Sequence, residues 1–98
     1  MLDELTIDSF RPHVGTSFWL HHGEHKVELR LTSASPVMES EAARLKRTPF
    51  SLFFLAPLYL PQSIYHLSHE RFESPLDVFL VPVGKEHDGV YTCEAVFT

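Results

Sequence analysis

The chain has 98 residues, 44% of them hydrophobic and 21% charged, with a net charge of −5 and a pI near 5.7. That is one domain's length with enough apolar surface for a modest core, which excludes a disordered chain. An acidic balance is a poor counter-ion for phosphate, which excludes nucleic acid and anionic membrane as general partners.

Thr6 to Val14 reads as a short helix, a plug of about two turns. Thr6 or Asp8 supplies a cap, and Ile7, Phe10 and Val14 recur at helical spacing. Pro12 and Gly15 limit its length. Phe18 to His21 is a first strand. Lys26 to Ser33 is a second, with Val27, Leu29 and Leu31 alternating against Lys26, Glu28, Arg30 and Thr32. The link His22-Gly23-Glu24-His25 predicts a hairpin between them.

Alternation is lost from Ala34 to Pro49. Ser35-Pro36 favours a turn. Glu39 to Lys46 has acids first and bases last, the order a helix dipole favours, so the stretch reads as a mobile crossover with a turn or two of helix. Arg44, Lys46 and Arg47 form the only basic cluster, and mixed-sign runs of this kind are solvated surface.

Phe50 to Leu55 is apolar on both faces, as a buried strand would be. Pro57 and Pro61 break the pattern after it, because proline lacks the ladder donor. Ile64 to His69 and Leu76 to Val83 are further strands. Gly84 to Gly89 reads as a loop ending in the turn signal Asp88-Gly89. Val90 to Phe97 closes the chain, with Tyr91, Cys93, Ala95 and Phe97 on one face. The expected fold is therefore all-β: one domain, residues 1–98, built as an antiparallel six-stranded small barrel or sandwich with a short N-terminal helix.

No element carries recognisable catalytic chemistry. His21, His22 and His25 share one turn region, and His66 and His69 share a strand. Adjacent residues and residues three apart face opposite sides of a strand, so a converging metal set is not expected. Cys93 alternates with apolar neighbours and reads as a small core residue rather than a nucleophile. Four glycines leave no phosphate-cradling loop. The prediction is a non-enzymatic chain with no metal and no cofactor.

One segment does suggest binding. Leu58, Tyr59 and Leu60 stand between two prolines, which stiffen a loop and reduce the entropy it loses on binding. Tyrosine is enriched at interface hot spots. The plainer alternative is that these side chains fold back and seal one end of the barrel. A second possibility is a small-ligand pocket lined by aromatics such as Trp19, Tyr65 and Tyr91. A third is self-association through a strand edge or the loop. A single cysteine, acids at the start where a secretory signal has bases, and no span longer than Leu52–Leu60 predict a cytoplasmic protein with no membrane segment.

An ordered set of segments resembles a family of short bacterial proteins, the DUF6916 type. The set is Leu2-Asp3-Glu4-Leu5-Thr6, Phe10 with Val14-Gly15 and Phe18, Pro49 to Phe54, Leu60 to Tyr65 with Leu67-Ser68-His69, Leu80 to Gly84, Asp88-Gly89, Tyr91, and Glu94 to Phe97. Ser63 stands where the family usually has glycine, and Lys85-Glu86-His87 varies a family loop. The resemblance implies no catalytic residues. Members tend to be encoded near phage-tail-collar-like proteins, which implies an accessory or assembly module with a protein partner.

Overall fold

The computed structural model describes residues 5–37 and 49–97, so the helix expected over 39–46 and its basic cluster lie outside the described residues. The six strands are β1 (Ser17–His22), β2 (His25–Pro36), β3 (Phe50–Ala56), β4 (Ser63–Ser68), β5 (Leu76–His87) and β6 (Val90–Phe97). Every pairing is antiparallel. The ring runs β1-β2-β3-β6-β5-β4 and closes back on β1, which decides for a barrel over a sandwich. Closure gives every strand a neighbour on each side over part of its length, while the outer ends of β2 and β5 pair on one side only.

The interior is filled by alternate residues of each strand. Phe18, Leu20, Leu29, Leu31, Leu52, Phe54, Leu67, Val78, Leu80, Cys93 and Ala95 are all buried. Small residues oppose large ones across β3 and β6: Ala95 pairs with Leu52 and Cys93 with Phe54. A narrow barrel needs that size alternation to pack without voids.

Two strands run further than their patterns suggest. In β2 the register shifts between Leu31 and Ser33, leaving Thr32 as the extra residue of a bulge. The inward set consequently changes from Val27, Leu29 and Leu31 to Ala34, which packs on the core. Alternation breaks in the sequence while the strand continues to Pro36. In β5 a second shift between Pro82 and Gly84 accommodates the proline, and the strand runs through His87. The expected loop 84–89 therefore shrinks to the two-residue turn Asp88-Gly89, with Gly89 at φ +80. The first hairpin is equally tight, because His22 pairs with His25.

The N-terminal segment plugs one end. The helix α1 (Ile7–Phe10) is a single turn, extended by a 3₁₀ turn over Arg11–His13. The Thr6 N–H donates to Ser9 Oγ at 3.0 Å, which starts the helix at Thr6. Phe10 is buried among Phe18, Phe50, Phe72 and Phe97, with ring centroids 5.5–6.4 Å apart. Val14 lies outside this contact and is exposed, because the tighter 3₁₀ turn carries it off the helical stripe. No helix among the described residues is long and apolar enough to cross a membrane.

Candidate binding groove at the open mouth of the barrel

Strands β3 and β4 stand on opposite sides of the ring, three places apart in either direction. The connection between them, residues 57–62, must therefore cross the mouth opposite α1. Its apolar side chains divide between two tasks. Leu60 is buried (5% exposed) and joins the core, sealing the mouth. Leu58 and Tyr59 remain exposed, at 42% and 56%.

Three features hold the segment in place. Pro57 and Pro61 fix their own φ angles. The Tyr65 hydroxyl donates to the Pro61 carbonyl at 2.5 Å. Tyr59 meets Tyr91 of β6 edge-on, with centroids 5.9 Å apart and planes at 73°, the geometry that aromatic quadrupoles favour.

The crossing loop leaves a groove of about 550 Å³ between itself and the β1–β2 hairpin. Leu20, Val27, Leu60 and Tyr65 form its apolar floor, and Leu58, Tyr59 and Pro61 form one wall. His22, His25 and Lys26 form the opposite rim. Among the described residues none of these three has an acidic partner, so the rim offers unpaired imidazole and ammonium groups. Burial pushes the Tyr65 hydroxyl up from its ordinary pKa, with smaller contributions from Cys93 and Tyr59. Tyr65 therefore stays a neutral donor. A second depression of about 260 Å³ lies on the outer surface between Glu28, Arg30, Leu55, Pro57 and Val90.

Of the remaining histidines, His13 and His69 meet at the plugged end, with ring centroids 4.7 Å apart. His21 Nε2 lies 2.6 Å from Ser68 Oγ. His66 pairs with Asp77 on the outer face, and His69 is buried at the plugged end. No group of three or more His, Cys, Asp or Glu placed to hold a metal occurs among the described residues. Cys93 is fully buried, and burial pushes its thiol up, which opposes thiolate formation. Trp19 stands on the outside of β1, 39% exposed, because Phe18 and Leu20 take the inward positions. It lines neither the groove nor the outer depression, whereas Tyr65 lines the groove and Tyr91 braces its wall.

The loop is legible in the sequence; its opposite rim is not. His22, His25 and Lys26 lie more than thirty residues away and reach the loop because β1 pairs with β4. The one local signal is the hairpin glycine, which exposes the turn without saying what it faces.

Comparison with curated proteins and with solved structures gave no match. A family profile described as a domain of unknown function (DUF6916) matches residues 5–97. The match runs from the N-terminal plug through the last strand and takes in the crossing loop and both sides of the groove, so the chain belongs to the DUF6916 family.

Proposed function

We propose that this chain is a non-enzymatic protein-interaction module, an accessory to an assembly, that grips its partner at the mouth of the barrel. The observation that carries the proposal is the division of labour in the loop: Leu60 anchors it while Leu58 and Tyr59 stay exposed beside a groove. Exposed apolar groups on a braced loop lose little freedom on binding. The unpaired imidazoles of His22 and His25 and the Lys26 ammonium favour a partner segment that carries a hydrogen-bond acceptor, such as a carboxylate, beside an apolar side chain. The family's association with phage-tail-collar-like proteins supports a collar-like partner in a bacterial cytoplasm, and a lone buried cysteine suits that reducing compartment.

The test is isothermal titration of the whole chain against a phage-tail-collar-like protein from the same genome. The expected result is a complex that Leu58→Ser with Tyr59→Ser weakens at least about tenfold, as loss of interface anchors does. Equal binding by the variant would remove the loop from the interface, and no complex would remove the collar-like partner.

The groove supports a second reading, a small-ligand site, because about 550 Å³ falls within the roughly 300–1,000 Å³ of small-molecule pockets. Native mass spectrometry of the purified chain separates the two. A retained small mass favours the ligand, and a bare chain favours the protein partner.

A further inference from the structure

The plugged end contains a polar arrangement that neither the groove nor the loop uses. The His69 ring is buried (6% exposed) where β4 leaves the barrel. It packs on Phe18 at 4.3 Å, His13 at 4.7 Å and Phe72 at 5.7 Å between centroids. The Arg71 backbone N–H donates to His69 Nδ1 at 3.0 Å. Nδ1 is therefore the bare nitrogen, and the ring proton sits on Nε2. Nε2 faces Thr16 Oγ1 at 2.8 Å. The Thr16 hydroxyl in turn donates to the His13 carbonyl at 2.6 Å. Each proton in the chain has one acceptor, and the neutral ring in this single tautomer satisfies them all.

The chain of bonds joins two parts that are far apart in sequence. His13 and Thr16 belong to the segment that seats Phe10 in the aromatic end of the barrel. His69 and Arg71 belong to the β4–β5 connection. A second proton on His69 would sit on Nδ1, directed at the Arg71 N–H, where no acceptor exists.

We propose that His69 is an acid-released latch: the neutral ring clamps the N-terminal plug onto the barrel, and protonation frees residues 6–16 while the strands stay paired. The charged and titratable groups that face the ring are His13 from the plug, and Glu70 and Arg71 from the β4–β5 connection. Burial is the largest influence on the ring and disfavours its charge; His13 and Arg71 act in the same direction, and Glu70 opposes them. A histidine whose folded pKa lies below its unfolded value contributes fully above about pH 6.5 and loses that contribution as pH falls toward the folded value. The opening equilibrium then rises by up to about tenfold per pH unit.

Amide hydrogen exchange of the whole chain between pH 7.5 and 5.0, corrected for intrinsic rates, tests the latch. The expected result is protection over residues 9–16 that falls by up to about tenfold per pH unit below 6.5, while β3 and β6 keep theirs. His69→Asn retains an acceptor for Arg71 and cannot take a proton, so its plug should show no pH dependence. Unchanged wild-type protection at pH 5.0, or pH dependence that survives in the variant, overturns the latch. Should the variant fail to fold, ¹⁵N NMR of the wild-type ring decides: a bare Nδ1 titrating below 6.5 supports the latch, and a protonated Nδ1 at neutral pH overturns it.

Discussion

The Tyr65 hydroxyl and the Pro61 carbonyl, 2.5 Å apart, tie the start of β4 to the loop that crosses the barrel mouth. The bond spans four residues and holds the loop beside the buried Leu60 and the exposed Tyr59. Tyr65→Phe removes only the hydroxyl. The expected loss is about 1 kcal/mol of stability, read from urea unfolding, with faster amide exchange over 58–62. A variant as stable and as protected as the wild type would show that the prolines and Leu60 suffice.

Leu58 and Leu60 should respond unequally to truncation. Leu60→Ala opens a cavity in the core and should cost about 2–5 kcal/mol. Leu58→Ser, at an exposed position, should change stability by no more than about 0.5 kcal/mol. Chemical denaturation of the two variants measures the contrast, and comparable losses would mean that Leu58 also seals the mouth.

Cys93 should be chemically silent in the folded chain. Its thiol is buried and its pKa is raised, so at pH 8 the native protein should resist iodoacetamide. The same reagent should label it fully in denaturant. Rapid labelling of the native protein would reveal an opening of β6 that its pairing with β3 does not suggest.

Gly89 takes φ +80 in the β5–β6 turn, with nothing within 4 Å of where a Cβ would stand. The cost of Gly89→Ala is therefore conformational alone, about 1–2 kcal/mol. Thermal unfolding reads it, and a neutral result would mean that the turn relaxes into another form.

The strand content was legible because residues such as Val27, Leu29 and Leu31 repeat with period two. Where a bulge reset that period, at Thr32 and Val83, local pattern stopped short of the real strand end. A bulge is stabilised by the neighbouring strand, here in part by the Thr32 hydroxyl donating to the Phe53 carbonyl at 3.0 Å, and no window on one strand contains that partner. His69 shows the same limit from the opposite side. Its offset from His66 predicted opposite faces of one strand; β4 ends at Ser68, so His69 stands just past the strand, buried, while His66 is exposed on it. Nothing near His69 in sequence announced Thr16, its partner 53 positions away.

Local residue pattern was enough for six β segments, a short capped plug, a proline-bracketed apolar loop and a buried cysteine face. These follow from side-chain alternation, backbone donors and φ restrictions, which act over a few residues. Tertiary structure alone decided that the sheet closes, that β3 and β4 stand opposite each other, and that their connection must cross the mouth. That crossing splits Leu60 from Leu58 and Tyr59 and places them against His22, His25 and Lys26. The physical reason is that ring order is set by which strand edges satisfy one another, a property of all six strands at once.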